Sequence, residues 1–234
     1  MLKIDHVRAG YGAINILWDV SLEVAQGQLT TIIGTNGAGK TTLLRAIMGL
    51  VPVTQGTISL DERALNHVNT WDMPAMGLCL IPEGRMVFKD MSVEENLLMG
   101  AYPKHSRDQI AANLELNYQR FPRLKERYKQ QAGSLSGGEA QMLAMGRGLM
   151  STPEVLLIDE PSLGLAPVIV SAIFEIMQGL KEEGKTIVLV EQNTHRAVGL
   201  ADHVYLMQSG KVLLSSAADD VDLDALHKLY FARH

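Results

Sequence analysis

The sequence predicts an α/β protein with a mixed sheet core, an antiparallel subdomain ahead of it and a helical lobe inserted into it. Three observations carry that prediction. An apolar run, Leu29 to Ile33, leads through a glycine-rich turn into the helix-like segment Thr42 to Met48. The chain after Gly137 alternates helical patterns with short apolar runs, the rhythm of a parallel sheet covered by helices. Between them, residues 106 to 131 read as helix with polar faces, interrupted at Pro122 and without a strand pattern.

Taken in order, Leu2 to Val7 and Ile14 to Val24 alternate as two strands joined through Gly10, Tyr11 and Gly12. After the first helix ends at Gly49, Pro52 and Gly56 punctuate a turn into the strand Thr57 to Leu60. Gly77 to Ile81 is a short buried strand closed by Pro82, and Ser92-Val-Glu-Glu95 is a capping box opening a helix over Glu94 to Met99. The later elements are a helix from Gly137 to Met150, a strand Val155 to Ile158, a helix Val168 to Glu183, a strand Thr186 to Val190 and a helix Thr194 to Leu200. His203 to Met207 and Lys211 to Ser215 flank a turn as a hairpin, and Val221 to Phe231 reads as an amphipathic helix.

The chain of 234 residues carries a net charge of −5, and its pI is near 5.8. It therefore lacks the basic footprint of a nucleic-acid binder. The locally basic stretch from Arg120 to Lys129 reads as a solvated helix face. No apolar run approaches the roughly 18 residues that span a bilayer, so action at a membrane requires a partner. The N-terminus has no signal-peptide pattern, and the one cysteine, Cys79, gives no disulfide framework, which fits a reducing cytoplasm. The seven histidines show no metal-binding spacing.

Gly34-Thr-Asn-Gly-Ala-Gly-Lys-Thr41 matches the phosphate loop GxxxxGK[ST] in the strand, turn and helix context that the motif requires. Backbone N–H groups around Asn36, Gly37, Ala38 and Gly39 can turn inward on a polyphosphate, with the helix N-terminus at Thr42 adding partial positive charge. Lys40 supplies a full charge to the β- and γ-phosphates, and the Thr41 hydroxyl is a natural Mg²⁺ ligand. A nucleotide and Mg²⁺ are the expected ligands. Tyr11, beside this site, either stacks on the base or is amphipathic surface.

Val155 to Glu160 is an apolar strand delivering two carboxylates at its C-terminal edge, where open α/β sheets bind ligands. With a phosphate loop in the chain, Asp159 is expected to hold Mg²⁺, directly or through water, and Glu160 to polarise the attacking water. Leu135-Ser-Gly-Gly-Glu139 opens another helix. Ser136, Gly137, Gly138 and Glu139 form a second anion site or a glycine linker with a serine cap. Two such helix starts in one chain suggest that one serves a neighbouring molecule's nucleotide.

These three motifs, in this order, resemble the ATP-binding cassette of ABC transporters over essentially the whole chain. The resemblance implies a phosphate-loop NTPase fold, one domain over residues 1–234 with the helical lobe at about 92–150. It implies a head-to-tail dimer holding each ATP between the phosphate loop of one cassette and the LSGGE of the other. It makes Tyr11 the base-stacking aromatic, Pro161 to Gly164 a dimer-contact loop, and the lobe from Ser92 to Gln131 the surface that meets the membrane subunits.

Two positions depart from the general cassette pattern. Glu83 replaces the usual glutamine, and a carboxylate can bind metal but cannot donate as an amide does. Gln192 occupies the switch position usually held by histidine, and it can hydrogen-bond a γ-phosphate without taking a proton near neutral pH. His195, three residues later, is either a substitute for it or a surface residue in a helix's first turn. Pro82-Glu-Gly-Arg85, the run Asp159 to Pro167 and Val190-Glu-Gln-Asn193 together resemble the smaller ATPase subunit of branched-chain, hydrophobic amino-acid importers.

That resemblance implies an ATPase at the cytoplasmic face of the membrane, bound to two permease subunits and to a second cassette, a related chain or its own copy. A solute-binding protein would act indirectly. Relatives that move urea or short amides share the same phrases, and exporters of lipid or polysaccharide share the layout. A soluble ABC ATPase acting on ribosomes or DNA is a further alternative.

Overall fold

The computed structural model describes residues 1–222. The helix expected from Val221 to Phe231 lies outside the described residues from position 223 on. The chain begins with β1 (Leu2–Tyr11), β2 (Ile14–Val24), β3 (Leu29–Ile33), α1 (Lys40–Ile47), β4 (Val53–Leu60) and β5 (Arg63–Ala64). A 3₁₀ turn over Thr70–Met76 leads to β6 (Leu78–Ile81) and the helices α2 (Val93–Gly100), α3 (Lys104–Arg107), α4 (Ile110–Arg120), α5 (Pro122–Glu126) and α6 (Gly137–Leu149). Then come β7 (Val155–Asp159), α7 (Pro167–Glu182), β8 (Thr186–Val190), α8 (Thr194–Leu200) and the hairpin β9 (His203–Gln208) and β10 (Lys211–Ala217).

The described chain forms two compact units, one of residues 1–70 with the chain from Lys181, the other Trp71–Leu180. In the first unit β2, β1, β4 and β5 make an antiparallel sheet. The expected strand Thr57 to Leu60 begins earlier, at Val53, because it pairs with β1 as far as Ala9. A second layer runs β10, β9, β3, β8, with β3 parallel to both β9 and β8 and β10 antiparallel to β9. This layer is the mixed sheet. Strands β3 and β8 are buried at every residue, their threonines included, as strands covered on both faces should be.

In the second unit β6 and β7 pair in parallel, with Ile81 opposite Ile158. Helix α6 packs on α2, α4, α5 and β6, around Leu97, Phe121, Leu124 and Leu143, none more than 1 % exposed. The basic stretch after Arg120 is largely occupied by ion pairs, Arg123 with Glu126, Lys125 with Glu115 and Arg127 with Glu139.

Two capping boxes start helices here. Ser92 caps α2 through the Glu95 N–H while Glu95 accepts from Ser92 N at 2.7 Å. Ser136 caps α6 in the same way, accepting from Glu139 N at 3.3 Å, and Glu139 accepts from Ser136 N at 2.9 Å. The Ser136 hydroxyl, then its N–H, hold the Glu139 carboxyl below its ordinary value of 4.5, and Arg127 at 3.0 Å adds to this.

A depressed carboxyl contributes its stability above the unfolded value near 4.5 and loses it as pH falls through the lower folded value. The protection factors of the Ser136 and Glu139 amides are therefore expected to be high at pH 6 and to fall as pH drops below 4.5 and through the depressed folded value. Glu139→Gln should keep its protection pH-independent across that range. Equal acid sensitivity in the two proteins would refute the cap as its cause.

Candidate active site

The phosphate loop leaves the buried end of β3 and enters α1 within a few residues. Gly34 is required by a close approach, since a Cβ there would sit 2.2 Å from the carbonyl oxygen of Met207. Gly39, the residue before α1, has φ 102°, a left-handed conformation that side chains resist. The β9–β10 turn braces the loop from outside, with Gly210 N donating to Ala38 O at 2.9 Å and Trp18 N donating to Gly210 O at 2.8 Å. Ala38, Gly39, Lys40 and Thr42 are buried, Thr41 is half-buried, and Asn36 and Gly37 are exposed. Lys40 Nζ donates to the loop's own carbonyls, Gly34 at 2.8 Å and Thr35 at 3.3 Å, which holds the ammonium inside the loop's curl.

Tyr11 ends β1, 46 % exposed, and its hydroxyl accepts from Arg45 Nη1 of α1 at 3.2 Å. The ring is thus tied to the helix that the phosphate loop opens. Parallel pairing of β3 with β8 sets Ile32 opposite Val190, so the phosphate loop and the Gln192 turn leave the same edge of the sheet. At that edge Glu191, 1 % exposed, accepts the backbone N–H of Gln192 at 3.0 Å and of Asn193 at 3.3 Å. Its carboxylate shapes the turn that presents Gln192. Asn193 caps α8, and His195 lies exposed in the first turn of that helix.

In the second unit, the register of β6 and β7 delivers Glu83 and the pair Asp159–Glu160 from one strand edge. Asp159 is 3 % exposed, whereas Glu83 is exposed. Glu160 has φ 45°, a conformation that costs a non-glycine residue on the order of 1–3 kcal/mol and that recurs where function imposes it. In the same unit, Ser136 to Glu139 form the capped start of α6, with the guanidinium of Arg85 lying over Gly137. Sequence reasoning singled out neither Glu191 nor Arg85, nor the Arg45 bond to Tyr11. Val-Glu-Gln-Asn carried the only signal for Glu191, a carboxylate directly after an apolar strand.

Among the described residues no three His, Cys, Asp or Glu side chains cluster to hold a metal on their own. Each unit offers hard oxygens of the kind that Mg²⁺ takes, the Thr41 hydroxyl in the first and the Asp159 and Glu83 carboxylates in the second. Among the described residues no helix is long and apolar enough to cross a membrane.

Comparison with known proteins agrees with this geometry. The ABC transporter family matches residues 17–163. The high-affinity branched-chain amino acid transport ATP-binding protein BraG of Pseudomonas aeruginosa is 46 % identical, over 92 % of this chain and 91 % of its own length. The probable branched-chain amino acid transport ATP-binding protein LivF of Archaeoglobus fulgidus is 36 % identical over 94 % of each. Among solved structures, an ATP-binding subunit of an ABC transporter superposes with a TM-score of 0.83 at 27 % identity, covering 99 % of this chain and 100 % of that one. A nucleotide-free ATP-binding cassette gives a TM-score of 0.83 at 25 % identity, over 98 % and 94 %. The chain belongs to the ABC transporter family, as an ATP-hydrolysing cassette.

Proposed function

We propose that this chain powers import of branched-chain or other hydrophobic amino acids, from the cytoplasmic face of the membrane. The observation that carries the reading is full-length similarity to two ATP-binding proteins named for branched-chain amino acid transport, at 46 % and 36 % identity. The Glu83 and Gln192 departures from the general cassette pattern accord with it.

In this reading the phosphate loop and Lys40 bind the nucleotide, and Tyr11 stacks on its base. Thr41 and Asp159 would hold Mg²⁺, with Glu83 as a further oxygen donor, and the ion would neutralise charge developing on the phosphates. Glu160 orients and polarises the attacking water, and Gln192 hydrogen-bonds the γ-phosphate without exchanging a proton. Ser136, Gly137, Gly138 and Glu139 meet the γ-phosphate held by another cassette in a head-to-tail dimer. The partner cassette is a copy or a related chain.

Two membrane permease subunits complete the assembly, served by a solute-binding protein. Their docking site is a groove of about 240 Å³ in the second unit, walled by Leu80, Phe88, Met99 and Tyr102. Phe88, Met99 and Tyr102 are exposed at 46, 49 and 65 %. Such an apolar wall at a surface calls for a cover. Arg147 reaches the groove beneath Phe88, its guanidinium 5.0 Å from the ring, with Nη1 buried and without a hydrogen-bond partner among the described residues. A permease segment offering a carboxylate or terminal helix carbonyls would satisfy it. Burial in the same wall pushes the Cys79 thiol up to about 11, so it stays protonated and unreactive.

Glu160→Gln is expected to slow hydrolysis by at least about a hundredfold while retaining ATP binding. Near-parental turnover would remove Glu160 as the water-polarising base. Lys40→Ala should instead lose nucleotide affinity, read by titration with a fluorescent ATP analogue. Affinity purification of the tagged chain from gently solubilised membranes, with ATP present, is expected to recover two permeases and a second cassette. Uptake of labelled leucine by that complex in vesicles then tests the cargo, and uptake of urea instead would reassign it. In the same purification Tyr102→Asp should lose the permeases with ATP affinity intact.

A further inference from the structure

We propose that Arg85 binds the terminal phosphate of the nucleotide held by the opposing cassette. The proposal rests on the reading above that the Ser136–Glu139 turn meets that phosphate.

The geometry begins at Gly137. A Cβ built there would lie 3.0 Å from Arg85 Nη1 and 3.2 Å from both Cζ and Nη2. All three guanidinium atoms therefore lie over the first turn of α6, on the side that glycine leaves bare. Any larger residue at 137 would displace them. Arg85 is half-buried, and among the described residues it forms neither an ion pair nor a hydrogen bond.

That position is electrostatically wrong for a cation left alone. The N-terminus of α6 carries partial positive charge from its free N–H groups, and a guanidinium beside it is repelled. The nearest suitable anion on the same turn, Glu139, is already engaged by Ser136 and by Arg127 at 3.0 Å. The loop that delivers Arg85 is itself unfavourable, with φ of 83° at Gly84, 70° at Arg85 and 45° at Met86. A guanidinium beside a helix N-terminus is disfavoured until an anion joins the two. A phosphate with three terminal oxygens fits the planar fork of an arginine and the backbone N–H groups together.

Arginine here would also discriminate between nucleotides. Its contact is with the terminal phosphate, so ATP gains from it and ADP does not. The residue would favour closure of the pair before hydrolysis and release after it, without touching the nucleotide bound by its own phosphate loop.

The test uses the purified chain in the Glu160→Gln background, which holds ATP unhydrolysed, both alone and mixed with the second cassette recovered in the purification above. Sedimentation measures ATP-driven association, and a fluorescent ATP analogue measures the affinity of the dilute monomer. Arg85→Met, which keeps the packing volume and loses the charge, is expected to weaken association about tenfold or more with monomer affinity unchanged. Arg85→Gln serves as a second neutral variant should the methionine protein not fold. Arg85→Lys should recover a part of the loss, because charge returns without the fork.

Association of both neutral variants at the parental level overturns the proposal. Ser136→Ala, run in parallel, separates the two claims. If it weakens association while the Arg85 variants do not, the role of Arg85 alone is wrong. If none of these variants alters association, the head-to-tail reading falls with it.

Discussion

The structure depends on a backbone turn that must leave a fully buried strand, β3, and open the helix α1 within a few residues. Sterics make this possible at Gly34, pressed against the carbonyl of Met207, and at Gly39, held at a positive φ. A bare glycine loop would be floppy, and conformational entropy would oppose binding. The β9–β10 turn removes that freedom by accepting and donating at Gly210, and Lys40 closes the curl from inside. The loop is thus held both by its own lysine and by a hydrogen bond from outside the motif.

Parallel pairing extends the same constraint. Because β8 runs in register beside β3, its loop with Glu191 and Gln192 must leave at the edge where the phosphate loop begins. Because β6 runs in register beside β7, Glu83 must leave at the edge that carries Asp159 and Glu160. Within each unit, strand direction therefore brings these residues to one edge, and no loop has to travel far to deliver them.

This explains what was legible. Strands such as Thr186–Val190 and helices such as Gly137–Leu149 are set by local pattern and caps, and the sequence places them within a residue or two. The phosphate loop and the carboxylate pair are contiguous, so their chemistry reads directly. The 3₁₀ turn over Thr70–Met76 did not, since it contains Pro74 and no apolar period marks it. The four-residue α3 is too short to generate a period at all. Arg85 over Gly137, the Glu191 carboxylate at the Gln192 turn and Arg45 on Tyr11 are side-chain meetings between or across turns. Neither propensity nor spacing encodes them.

The two capping boxes show the limit of local motifs most clearly. Ser92 with Glu95 and Ser136 with Glu139 satisfy the same orphan N–H groups by the same reciprocal bonds. The first is followed by Val93, wholly buried, and its outer acid, Glu94, accepts from Tyr118, so that cap is closed into the lobe. The second is followed by two glycines, and over the first lies the guanidinium of Arg85, which makes no ion pair or hydrogen bond among the described residues. Identical hydrogen bonds thus build a structural helix start in one place and a charged, accessible one in the other. The difference lies in what flanks the cap, a buried Val93 in one place and a bare Gly137 beneath a guanidinium in the other.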